Sequence, residues 1–238
     1  MKTTILHFIT IIALAMTLNS CQNEEVAPLH PSNQKATLGE WGPTPLPSSI
    51  PPDEVIRTNY AGATKWRVTY EDHSGDGSYT GISYACARWH NTQRALSTTT
   101  GSFYSKPDLK NSQNIKTVDL ILDTSHNLRS PNALNNEFSR LTMYKNCRWM
   151  SLDQLENMYI HTPHRLQDAY ESRPFASYGA LLETGNIILF KTDEDQPRYG
   201  AVHVIEQLDS GPCSTSGDFR LVMEIIVQKE NNTNNKIH

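Results

Sequence analysis

The stretch that decides the fold is Phe219-Arg220-Leu221-Val222-Met223-Glu224-Ile225-Ile226-Val227-Gln228. Phe219, Leu221, Met223, Ile225 and Val227 recur every second residue, the period of a β-strand with one face in a core. Working back, 199–208 and 185–192 are two further β-branched and aromatic runs. Pro197 and the glycines between them break the ladder, so the three runs read as an antiparallel meander.

Further out the signal thins. Residues 66–70 alternate, and 79–89 alternate again after a turn, with Tyr79, Gly81, Ser83 and Ala85 on one face and Thr80, Ile82, Tyr84 and Cys86 on the other; together they read as a hairpin. Residues 115–122 read as one more strand, with Val118, Leu120 and Leu122 toward the core and Asp119, Ile121 and Asp123 toward water. Between this and the meander, Ser151 followed by Gln154 fits a capping box. Thr162-Pro163 fits an N-cap with proline at the first helical position, giving helices over about 152–159 and 163–171. The expected fold class is therefore mainly β, an antiparallel β-sandwich or an α+β sheet with two short helices, in one domain over residues 62–230.

The other end of the chain reads differently. Lys2 precedes an apolar run over 5–18, too short to span a bilayer, and then comes Leu18-Asn19-Ser20-Cys21. That is the plan of an export signal occupying residues 1–20. Leucine three positions before a cysteine, with a small residue just before it, resembles the lipobox of bacterial lipoproteins. The resemblance covers about the first 25 residues and implies cleavage before Cys21 and lipidation of that cysteine, palmitate included. Gln22-Asn23-Glu24-Glu25 is similar to the acidic tetrapeptide that directs Bacteroidota-type lipoproteins to the outer face of the outer membrane, which implies a cell-surface location in preference to the periplasmic face. Thr184-Gly185-Asn186, leading into the run that ends at Thr192, together with Arg198-Tyr199-Gly200, resembles secreted proteins of the same bacterial group. That brings a β-rich fold and no activity.

Residues 21–61 carry Pro28, Pro31, Pro43, Pro45, Pro47, Pro51 and Pro52 with little apolar periodicity and read as a tether; extended at about 3.1 Å per residue it reaches about 120 Å. Residues 231–238 read as a disordered tail. Loss of the first 20 residues removes one of 21 basic residues and none of 25 acidic ones, a balance of about minus five. Acidity speaks against nucleic acid as a partner, and it leaves membrane attachment to the lipid anchor.

Beyond Cys21 the chain holds Cys86, Cys147 and Cys213, an odd set for an oxidising compartment. One disulfide is the default. Three pairings are possible, with Cys147–Cys213 favoured because both sit beside loops while Cys86 lies in a strand pattern. Lys145 and Arg148 flank Cys147 and invite a reading as an activated nucleophile, though no histidine partner motif accompanies them.

Asp72, Ser74 and Asp76 alternate oxygen ligands, with Gly77 in the sixth position, as the first half of a calcium loop does. The twelfth position is Ser83 and the flanks read as strands, so a polar hairpin turn explains the same residues. Calcium is the sole cofactor the sequence suggests. Asp119 and Asp123 share a strand face, but four residues at about 3.3 Å each separate their backbones by about 13 Å, beyond the reach of a glycosidase carboxylate pair. His161 and His164 straddle Pro163 and lack a third ligand nearby. Trp66, Trp89 and Trp149 could stack on a sugar or a protein, or could fill the core.

No G-x-S-x-G elbow, phosphate-cradling glycine loop or zinc-protease helix motif occurs. The expectation is a membrane-anchored binding or structural module without catalysis, acting on a glycan or an envelope protein. The alternative is a hydrolase of extracellular polysaccharide or other polymer.

Overall fold

In the computed structural model, residues 49–71, 89–123, 127–134, 140–148, 150–193, 195–209 and 219–229 are described. The fold is mainly β. The C-terminal meander consists of β9 (Ile187–Thr192), β10 (Tyr199–Asp209) and β11 (Phe219–Gln228), antiparallel throughout. It forms the heart of a six-stranded sheet with β1 (Glu54–Asn59), β2 (Ala63–Glu71) and β7 (Thr142–Asn146), in the order β1-β2-β11-β10-β9-β7. A five-stranded sheet of short strands, β4 (Phe103–Tyr104), β3 (Ala95–Leu96), β5 (Leu120–Leu122), β6 (Asn127–Arg129) and β8 (Gly179–Leu181), lies in that order.

The two sheets share one core. Phe219, Leu221, Met223, Ile225 and Val227 of β11 are all buried in it, with Val202, Val204, Ile188, Phe190 and Trp66 from neighbouring strands and Leu96, Leu120, Leu122 and Leu128 from the smaller sheet. β11 lies between β2 and β10 and is buried on its other face as well, where Ile226 meets the helices. At the β7 edge the sheets are joined: Ser177, just before β8, exchanges both backbone hydrogen bonds with Tyr144 of β7, at 2.9 and 2.7 Å.

Gly200 is a close-approach glycine. A Cβ there would lie 2.3 Å from both the Ile226 carbonyl oxygen and the ring of Phe190, its cross-strand neighbour, so the missing side chain is what lets the phenyl ring lie across the strand.

Helices α2 (Leu152–His161) and α3 (His164–Glu171) cover the other face of the large sheet. The capping box forms as expected: the Ser151 hydroxyl accepts from Gln154 N, and Gln154 Oε1 accepts from Ser151 N. Leu155 and Tyr159 of α2, and Leu166 and Tyr170 of α3, are each four residues apart and fully covered against Ile187, Leu189, Ala201 and Ile226. Among the described residues no helix is long and apolar enough to cross a membrane.

Three sequence expectations are corrected. Glu54–Asn59, assigned to the tether, is strand β1; its exposed residues lack the in-out alternation that marks a half-buried strand. The hairpin partner of β2 is accordingly β1, which pairs from Glu54↔Thr69 to Asn59↔Thr64, while residues 79–88 lie outside the described part. The strand assigned to 115–122 is a helix, α1 (Ser112–Thr117), capped by the Asn111 side chain, followed by the three residues of β5. Val118 consequently packs with Ala95 and Ile121, away from Leu120 and Leu122.

A polar row crosses the helix face of the large sheet. Lys65 Nζ donates to Glu224 Oε1 at 3.0 Å and sits 5.6 Å from the centre of the Tyr159 ring of α2, while His203 Nδ1 lies 4.0 Å from Glu224 Oε2. The nearby His203 imidazole and the hydrogen-bonded Lys65 ammonium hold the Glu224 carboxyl below its ordinary value of 4.5. A carboxyl lowered on folding stabilises the fold above its unfolded pKa and loses that contribution as pH falls through the lowered value. Glu224→Gln is therefore expected to cost about 1–2 kcal/mol at pH 7, the worth of charge-assisted bonds, and less near pH 3, below the ordinary carboxylate value. Urea unfolding of both proteins at the two pH values checks this; a penalty independent of pH would refute it.

Candidate functional site

The helix layer presents a groove of about 630 Å³. Each helix gives one stripe to the core and the adjacent stripe to this groove. From α2 come Asp153, Gln154, Asn157 and Met158; from α3 come Arg165, Asp168 and Ala169, continued by Ser172 and Arg173, with Met150 completing the lining. The volume lies within the range of ligand clefts, about 300–1,000 Å³. Two methionines and an alanine supply adaptable apolar surface, and the rim carries both signs of charge together with two amides and a hydroxyl. Such a lining offers hydrogen bonds in both directions and no concentrated charge.

The α3 wall of the groove is pinned at its C-terminal end. Lys145 of β7 is almost fully buried, and its Nζ donates to the carbonyl oxygens of Tyr170, at 2.9 Å, and of Arg173. It also lies 4.2 Å from the centre of the Tyr170 ring. A cation on the last carbonyls of a helix satisfies acceptors that lack intrahelical partners and complements the negative end of the dipole. Burial pulls the Lys145 pKa down, against the pull of Glu171. Glu171 in turn accepts from Lys191 at 2.9 Å and from the Tyr199 hydroxyl at 2.5 Å, and these bonds hold its carboxyl below the usual range.

The residues singled out from sequence fall elsewhere. Cys147 is fully buried, its thiol directed at the Lys145 carbonyl oxygen at 3.7 Å. The two cations that suggested an activated thiolate face other partners, Lys145 the end of α3 and Arg148 the Glu183 carboxylate at 2.8 Å. Cys86 and Cys213, the other disulfide candidates, lie outside the described residues. So do Asp72, Ser74 and Asp76 of the calcium reading, and Trp149.

Trp66 and Trp89 are core residues, 2 % and 4 % exposed, and so form no stacking platform. His161 closes α2, His164 opens α3, and both are exposed. Among the described residues no group of three or more metal-capable side chains comes together.

Asp119, expected on a wet strand face, is completely buried. Its Oδ2 accepts from Thr98 N and Thr98 Oγ1, both at 2.6 Å, and lies 3.7 Å from Arg198 Nη2; its Oδ1 accepts from Arg140 Nη1 at 3.0 Å. Burial pushes the carboxyl up, and the Thr98 bonds and the two guanidinium groups oppose it. Thr142 Oγ1 of β7 donates to the Asp119 carbonyl oxygen at 2.6 Å, so one residue ties β5, β7 and the approach to β10 together. Asp123 pairs with Arg129 and accepts from Asn127 N. The two aspartates thus belong to separate ion pairs, and the buried one is a structural joint.

The groove itself escaped sequence reading. Asp153 and Asn157, or Arg165, Asp168 and Ser172, have helical spacing, but a polar stripe at that spacing is also what any solvated helix face shows. The chain matches no family model, no curated protein and no solved structure.

Proposed function

We propose that this chain is a lipid-anchored lipoprotein of the cell envelope, held at the outer surface by Cys21 and a proline-rich tether, whose folded part is a binding or structural module without catalysis. The observation that carries the binding role is the groove between α2 and α3, in which Met150 and Met158 lie beside Asn157, Arg165 and Asp168. Its ligand is a polar polymer of the envelope, a glycan strand or an extended protein segment, because mixed charge and amide groups match alternating donors and acceptors better than a single anion or an apolar molecule.

The test is thermal melting of the full chain in detergent against a panel of polysaccharides, peptidoglycan fragments and peptides, with substrate consumption followed in parallel. A ligand present at about 100 times its dissociation constant adds about 2.7 kcal/mol, a shift of about 5–10 °C for a domain of this size. Asn157→Ala with Arg165→Ala should abolish the shift without lowering the unliganded melting temperature. Consumption of the ligand would replace the module with a hydrolase, and a shift indifferent to the double substitution would remove the groove. The anchoring is checked by fatty-acid incorporation, which Cys21→Ala should eliminate.

A further inference from the structure

The two edges of the large sheet are unequal. β7 is covered by Ser177 and lies against β8, whereas among the described residues β1 is paired on one side alone, with β2. Five of its six residues are exposed, including Val55 at 40 % and Ile56 at 47 %. Proteins commonly blunt such an edge with proline, a bulge or lysine. β1 contains no proline, bulge or lysine, and its two charged residues, Glu54 and Arg57, are of opposite sign: the strand pairs with β2 in unbroken register.

The hairpin settles which backbone groups point outward. Tyr60 N donates to Ala63 O at 2.8 Å, closing a two-residue turn, so in the antiparallel alternation Glu54, Ile56 and Thr58 aim their N–H and C=O at β2. Asp53, Val55 and Arg57 aim theirs away from it. A second copy of β1 running antiparallel can then bond in registers that place outward residues opposite outward residues. Centred on Val55, the register sets Val55 opposite Val55 and Asp53 opposite Arg57, so each copy faces opposite charge twice. Centred on Ile56, it sets Val55 opposite Arg57 and Glu54 opposite Thr58, with no such pair. Both registers are self-complementary, as a two-fold axis requires, and the opposite charges that face each other across the strand pair favour the first.

We infer that two copies of this chain pair through β1, antiparallel about a two-fold axis at Val55, joining their six-stranded sheets into one. The contact supplies about six main-chain hydrogen bonds and covers Val55, and it falls in the small, weak class of interfaces, below about 1,200 Å² in total. It is independent of the groove, which lies on the helix layer.

The experiment is sedimentation of the full chain in density-matched detergent from about 1 to about 300 µM, the span over which a micromolar dimer forms. Wild type should pass from monomer to dimer mass. Val55→Lys, which sets like charges face to face across the axis, should stay monomeric over the whole span with an unchanged melting temperature. Under mild oxidation Val55→Cys should yield a covalent dimer absent from the parent chain, since paired Cα atoms about 5.5 Å apart are within disulfide range, and Ile56→Cys should not. A wild type that remains monomeric throughout, or Val55→Lys dimerising like wild type, overturns the interface. Crosslinking through Ile56→Cys in place of Val55→Cys overturns the register.

Discussion

Asp119→Asn is expected to lower stability by about 3–5 kcal/mol, the usual result of removing one partner from a buried ion pair, and to lower the melting temperature by about 10 °C or more. The substitution preserves shape and leaves an oxygen for Thr98, so the loss isolates the charge. With the carboxylate replaced by an amide, the guanidinium of Arg198, whose side chain is 8 % exposed, keeps its desolvation cost and loses the charge of Asp119 beside it. Arg140, at 26 %, loses less because water reaches it. An apolar replacement of both buried partners, Asp119→Leu with Arg198→Met, should recover much of the deficit, because the desolvation cost then disappears with the charges. Calorimetry of the two proteins checks this. An Asp119→Asn protein that melts with wild type would show that the joint contributes nothing.

Gly200→Ala should be nearly as damaging, at about 3 kcal/mol, toward the upper end of what overpacking a core costs. The added methyl would stand 2.3 Å from the Ile226 carbonyl oxygen and 2.3 Å from Cζ of Phe190. The ring could swing aside, but the carbonyl belongs to β11 and moves with the sheet alone. Gly200→Ala combined with Phe190→Leu tests the division: it should relieve the clash with the ring and leave the clash with the backbone, recovering part of the loss. Full recovery would place the whole cost on the ring, and an unchanged melting temperature in Gly200→Ala itself would refute the crowding argument.

The meander was legible because β9, β10 and β11 run six to eleven residues each, long enough for a period to declare itself, and because β11 has covered neighbours on both sides. The five-stranded sheet was not. Its strands are two or three residues long and hold no period, and their pairing depends on contacts such as Leu96↔Leu120 that join distant parts of the chain. β1 failed for another reason: an edge strand exposed on both faces resembles the tether before it. Asp119 was misplaced because alternation assigns a polar residue to water, while the reason for its burial lies at Thr98, Arg140 and Arg198, far away in sequence. The capping box of α2 was readable because its partners are three residues apart. The groove shared that locality but lacked contrast with an ordinary wet helix face.

The helix α3 is held at both ends. At its start a Cβ on Gly62 would come within 2.1 Å of Pro163 Cγ, so the β1–β2 turn fits directly against the helix N-terminus. At its end Lys145 grips the Tyr170 and Arg173 carbonyls. A wall clamped twice has little motion left to surrender when something settles against it. Ligands of this groove should therefore meet a cleft already in its bound shape, with little entropy lost on the protein side, so that differences in affinity among them appear chiefly in how long each one stays.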